Sequence, residues 1–97
     1  MPTATKRQLV MRIWERVGGS QKRVHSIVQA FMDEVMDELG EGTRIVLRDF
    51  ATFWTVRKPP RRARNPSTRE QVQVRERTVI MFRPGRRMHK KAQQVKE

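Results

Sequence analysis

Arg57-Lys58-Pro59-Pro60-Arg61-Arg62-Ala63-Arg64-Asn65-Pro66-Ser67-Thr68-Arg69-Glu70 is the stretch that decides the fold of this 97-residue chain. It contains no large apolar residue, so it cannot contribute to a core, and six of its fourteen residues are cationic. On both sides stand segments of strand composition. Phe50-Ala51-Thr52-Phe53-Trp54-Thr55-Val56 precedes it, and Gln71-Val72-Gln73-Val74-Arg75, alternating with period two, follows. A hairpin is the simplest way for strands to enter and leave such a segment, so a polar ribbon over about 57–75 is expected to project into solvent. Pro59 and Pro60 carry no backbone donor and fit an exposed edge, not a central strand. An isolated two-stranded ribbon is marginally stable in water, which makes it a part that awaits a partner.

Upstream, the pattern is helical. Thr5-Lys6-Arg7-Gln8 has the form of a capping box. Leu9, Val10, Ile13, Trp14 and Val17 then recur at helical spacing until Gly18-Gly19 stops them. Ser20 caps a second helix, whose stripe is Val24, Ile27, Val28, Phe31, Met32, Val35, Met36 and Leu39; Gly40 and Gly42 end it. Arg44-Ile45-Val46-Leu47-Arg48 is short and β-branched, and Thr78 to Phe82 has the composition of a buried strand. Pro84 suits the first turn of a last helix, with Met88, Ala92 and Val95 spaced for one face. The fold class is α+β: two N-terminal helices, a three-stranded antiparallel sheet with a protruding β-ribbon arm, and a C-terminal helix. One domain spans 1–97. It divides into a helical region at 1–42, the sheet and arm at 43–83, and the C-terminal helix and tail at 84–97.

The charge follows the same division. Lys and Arg number 22 against 10 Asp and Glu, a formal net charge of +12, with a pI near 11.7. Residues 1–43 carry six groups of each sign, so the whole excess lies in 44–97. A neutral scaffold joined to a cationic half points to polyanion binding, because solubility needs no such segregation. With 36% hydrophobic residues the chain is too apolar for pure disorder, and a mean hydropathy of −0.79 is too polar for a membrane span. Met1 to Arg7 lacks the apolar stretch of a signal peptide. The absence of cysteine excludes a disulfide scaffold and fits a reducing compartment. A cytoplasmic protein without membrane association is expected.

Arg64-Asn65-Pro66-Ser67-Thr68 at the arm tip, Asp49-Phe50-Ala51-Thr52-Phe53, and Phe82-Arg83-Pro84-Gly85 before the last helix carry a resemblance. The chain resembles the HU / integration host factor family of bacterial DNA-bending proteins, from about Thr5 to Lys91. The family's most recognisable motif is Gly-Arg-Asn-Pro-x-Thr-Gly, and the Phe-Arg-Pro-Gly stretch looks more like the integration host factor α branch than like typical HU. The resemblance implies an intertwined dimer, homodimeric or heterodimeric with a paralogue, with Phe50, Phe53 and Phe82 in the shared core. It also implies a nucleoid-associated protein whose two arms reach around double-stranded DNA. Pro66 would be the intercalating wedge in the minor groove. Two departures stand at family glycine positions: Ala63 and Arg69 flank the tip motif, and Asp49 and Ala51 replace the glycines of Gly-Phe-Gly. Either Arg69 adopts a backbone geometry that glycine takes freely, or the turn differs.

On this basis the DNA-binding residues are expected to be Arg57, Lys58, Arg61, Arg62, Arg64, Asn65, Pro66, Thr68, Arg69, Arg75, Arg77, Arg86, Lys90 and Lys91. Bent, nicked or junction DNA, in which the kink is already made, would be preferred. A small RNA-binding or ribosomal protein would share the charge and size, but would need no wedge at the tip. A membrane-surface role would need a basic amphipathic helix, whereas the charge lies on ribbon-like sequence. Asp33, Glu34, Asp37 and Glu38 form a solvated helix face with no His or Cys at ligand spacing, so no metal is expected. His25 and His89 lie far apart, and Ser20, Ser26 and Ser67 have no nearby His/Asp arrangement. No cofactor and no catalysis are expected.

Overall fold

The computed structural model describes residues 1–95. It has the α+β composition expected, arranged as two compact units, Met1–Asp37 and Glu38–Glu97.

The first unit is built from helices α1 (Lys6–Val17) and α2 (Gln21–Gly40), the latter ending in the second unit. The capping box forms in full. The Gln8 N–H donates to Thr5 Oγ1 at 3.3 Å, and the Thr5 N–H donates to Gln8 Oε1 at 2.8 Å. Gly18 closes α1 at φ 75°, its N–H donating to the Trp14 carbonyl. Trp14 is half-buried, and its indole N–H donates to the Gly19 carbonyl at 2.6 Å, pinning the connection between the helices. Ser20 caps α2 by accepting from the Arg23 N–H at 3.2 Å. Lys6 Nζ donates to Gln29 Oε1 and ties the two helices.

The apolar stripes form as their spacing requires, but only Val10 and Val24 are buried. Ile27 and Phe31, in the middle of the α2 stripe, are 58% and 51% exposed. Two helices cannot enclose stripes of this width by themselves.

In the second unit, strands β1 (Ile45–Leu47), β2 (Ala51–Lys58) and β5 (Arg77–Pro84) make an antiparallel sheet in the order β1-β2-β5. Strands β3 (Arg61–Arg64) and β4 (Gln71–Val74) make a separate antiparallel pair. β2 runs two residues beyond Val56, because the ladder with β5 continues through Arg57↔Thr78 and Lys58↔Arg77. Cross-strand partners share a face, so the register sorts the sheet. Ile45, Phe53 and Phe82 fall on one side, and Trp54 and Met81 on the other. Phe53 and Phe82 pack as a tilted pair with ring centroids 5.3 Å apart. Ala51 is the buried residue of this unit.

β5 departs from its composition. Ile80 is 64% exposed and Phe82 50%, so the buried strand expected from Thr78 to Phe82 is largely uncovered in a single chain. Pro84 also differs from expectation. It ends β5 opposite Ala51, and α3 (Arg86–Ala92) starts after Gly85 as N-cap. Proline at a strand terminus has no donor to lose, which serves the sheet as well as a helix start would. Val95, expected on the stripe of the last helix, lies beyond its end.

α3 is held to the sheet through the turn at Asp49-Phe50. Asp49 takes φ 65°. Its carbonyl accepts from the N–H groups of Arg87 at 3.1 Å and Met88 at 3.4 Å, and the Gly85 N–H donates to the Phe50 carbonyl at 2.7 Å. A Cβ on Gly85 would stand 2.5 Å from the Asp49 carbonyl carbon, so this approach requires glycine.

Candidate nucleic-acid interface

The pairing of β3 and β4 turns the basic stretch into a ribbon with two different faces. The register is Arg61↔Val74, Arg62↔Gln73, Ala63↔Val72 and Arg64↔Gln71. Arg62 and Arg64 therefore share a face with two amide side chains, and Arg61 and Ala63 share the other with two valines. Alternation alone could suggest this, but the pairing partner of each arginine needed the register.

At the end of the ribbon, backbone and side chains close a compact turn. The Asn65 N–H donates to the Glu70 carbonyl at 2.8 Å, and the Arg69 N–H donates to the Asn65 carbonyl at 2.7 Å. Asn65 Oδ1 accepts from the Ser67 N–H at 2.9 Å, and Thr68 Oγ1 accepts from the Glu70 N–H at 3.3 Å. Asn65 is half-buried by these bonds and Pro66 stands exposed at the apex. Arg69 takes φ 59°, so it occupies the left-handed region that glycine takes freely. Asp49, at another position where the resemblance led one to expect glycine, does the same. Both residues thus hold a backbone angle that glycine takes freely.

At the root, Lys58 pairs with Arg77 in the ladder, and Arg57 Nε donates to Glu76 Oε1 in the one ion pair among the described residues. Arg75 lies between β4 and β5. Between 57 and 77 the arm and its root carry eight cations against two acidic residues, Glu70 and Glu76. Arg86, Lys90 and Lys91 stand apart from the ribbon, on α3, and all three are exposed.

Two cations on the sheet went unnoticed in the sequence. The Arg44 guanidinium lies over the Trp54 ring, 5.7 Å from its centroid. Arg83 pairs with Thr52, two residues from Trp54 and so on the same face. The period-two spacing of 52 and 54, and of 81 and 83, was visible. Their convergence depended on the register between strands distant in sequence. A further group, Arg48, Arg87 and Lys91, lines an open cavity of about 390 Å³ with Asp49, Phe50 and Met88. Phe50, which lines this cavity, is 50% exposed in the single chain. Among the described residues no cluster of His, Asp or Glu could hold a metal ion, and no helix is long and apolar enough to cross a membrane.

Helices α1 to α3, a three-stranded antiparallel sheet and a separate cationic two-stranded ribbon define a class of small α+β proteins. The model of the family described as bacterial DNA-binding protein matches residues 4–93. Integration host factor subunit alpha of Xanthomonas campestris pv. campestris (strain B100) is 34% identical over 89 residues, 92% of this chain and 90% of the relative. The same subunit from Hahella chejuensis is 33% identical over 93 residues, 96% and 93% of the two chains. The solved structure of an Anabaena HU–DNA cocrystal matches with a TM-score of 0.83 at 22% identity, covering 95% of this chain and all of that one. The chain belongs to the HU / integration host factor family of bacterial DNA-binding proteins, a family without enzymatic activity.

Proposed function

We propose that this chain is an architectural protein of the bacterial nucleoid that bends or wraps double-stranded DNA through the minor groove. The observation that carries this is the arm itself: a cationic ribbon separate from the sheet, ending in an ordered turn with Pro66 exposed at its apex. Phosphates would be held by Arg57, Lys58, Arg61, Arg62, Arg64, Arg69, Arg75 and Arg77, and by Arg86, Lys90 and Lys91 on the body. Each contact releases condensed counterions, so affinity falls steeply with salt.

Asn65 spends its carbonyl oxygen on Ser67, which leaves its NH₂ group to donate. The minor groove offers acceptors on every base pair, so such a donor reads little sequence. Pro66 enters a base step, with unstacking costing on the order of a few kcal/mol. Sites already kinked or nicked lower that cost.

The working unit is a dimer. Exposed Ile27, Phe31, Ile80 and Phe82 support this, since a folded chain needs a second apolar surface to cover them. Both a homodimer and a heterodimer with a paralogue fit that need. The RNA-binding alternative has no finding in its favour.

The test is binding of the purified chain to linear, nicked and four-way-junction DNA across a salt series, with folded RNA as competitor. Tighter binding to the nicked and junction forms is expected, with affinity dropping about 10³-fold or more between 50 and 200 mM salt. Equal affinity for all three DNAs, or preference for the RNA, would overturn the proposal.

A further inference from the structure

The arm does not run continuously out of the sheet. The last pair of the β2–β5 ladder is Lys58↔Arg77, and the first pair of the β3–β4 ladder is Arg61↔Val74. Between them Pro59-Pro60 faces Arg75-Glu76, and both strands are unpaired over the same two positions. The prolines explain the break, since neither has an N–H to give to a ladder. A break of equal length on both strands removes the backbone bonds that would stiffen the ribbon's root.

One side-chain contact lies at that root. Arg57 is opposite Thr78 in the ladder, which makes Glu76 its diagonal neighbour. Diagonal cross-strand Cβ atoms stand roughly 7–8 Å apart, within reach of an arginine and a glutamate, and Arg57 Nε does donate to Glu76 Oε1. The pair is open to water, with side-chain exposures of 72% and 45%. It is therefore weak and strongly screened by salt. A phosphate reaching the root would compete with the carboxylate for the same guanidinium.

We propose that Glu76 is a positioning residue for the DNA-binding arm: in the free protein it holds Arg57 at the sheet-side edge of the proline break, and DNA phosphate displaces it on binding. Glu76 thereby lowers affinity for a duplex whose phosphate must take Arg57 from it, and leaves unchanged the binding of one that brings no phosphate to the arm root. This rests on the reading of the protein as a DNA-binding one, and the experiment separates the two.

The experiment is a double-mutant cycle on the full chain with a nicked duplex, comparing wild type, Glu76→Gln, Arg57→Gln and the double variant at low and high salt. Glu70→Gln serves as control, because it removes the arm's other negative charge without touching Arg57. Glu76→Gln is expected to tighten binding about two- to fivefold per arm at low salt, the worth of an exposed ion pair. The gain should exceed that of Glu70→Gln, shrink at high salt, and fall to the Glu70→Gln level in the Arg57→Gln background. Glu76→Asp, which keeps the charge, should bind as wild type does. Equal gains with and without Arg57, a gain no larger than that of Glu70→Gln, or weaker binding by Glu76→Gln would overturn the inference. Loss of duplex binding by wild type would instead overturn the function itself.

Discussion

Replacing Gly85 by alanine tests the junction that joins α3 to the sheet. A Cβ there would meet the Asp49 carbonyl carbon at 2.5 Å, the Phe50 nitrogen at 2.7 Å and the Asp49 oxygen at 2.8 Å. All three are backbone atoms, so no rotamer change makes room. The turn and α3 must separate by about 1 Å to reach ordinary contact distance. That movement weakens the three hydrogen bonds that dock the helix, from Gly85 to Phe50 and from Arg87 and Met88 to Asp49. Overpacking costs about 1–3 kcal/mol, and each weakened bond forfeits up to about 1 kcal/mol. A loss of about 2–4 kcal/mol is expected, a drop in melting temperature of roughly 10 °C or more for a domain of this size. Gly40→Ala is the matched comparison. It meets nothing within 4 Å and lies at the end of α2, so it should be neutral or stabilise by up to about 1 kcal/mol. Chemical denaturation at fixed protein concentration reads both, since dimerisation would make the midpoint depend on concentration. A Gly85→Ala variant within about 0.5 kcal/mol of wild type would refute the reasoning, for overpacking against backbone cannot cost so little.

Other expected outcomes concern the arm and the apolar faces. Arg69→Gly relieves a left-handed residue, worth roughly 1 kcal/mol to the order of the tip, but removes one cation per arm. In a dimer the slope of log K against log salt should become shallower by about 2, measured by fluorescence anisotropy. An unchanged slope would place Arg69 away from phosphate. Phe31→Glu introduces a charge into the exposed stripe of α2 and should yield monomers in sedimentation velocity; persistence of dimers would show that this face lies outside the interface. Arg44→Ala together with Arg83→Ala should weaken duplex binding if the Trp54 face of the sheet contacts DNA, and should leave it unchanged if the arms act alone.

The helices were legible because their determinants are local. Thr5 and Gln8 lie within one turn, and both predicted hydrogen bonds form. The stripe from Val24 to Leu39 needs nothing but helical period. The same holds for the tip, where Asn65 satisfies its neighbours within five residues. What escaped the sequence depends on pairs far apart in it. The extension of β2 to Lys58 was set by Arg77, and the place of Pro84 by Ala51 and the Asp49 turn. The grouping of Arg44 with Trp54 and Arg83, and the contact of Arg57 with Glu76, needed a register that no local signal fixes. Burial was misjudged for a related reason: composition marks Thr78 to Phe82 as a buried strand, but what covers Ile80 and Phe82 is not encoded in their local sequence, and both are exposed in the single chain.

If charge makes this protein bind and Pro66 makes it bend, the two can be separated at one residue. Pro66→Ala keeps every cation of the arm and removes only the rigid wedge. The direct measurement is the end-to-end distance of a doubly labelled duplex by FRET, at protein concentrations that saturate binding. Affinity for a pre-nicked duplex is expected to stay close to wild type, with a clearly smaller bend in intact linear DNA. A Pro66→Ala protein that bends intact DNA as sharply as wild type would contradict this expectation.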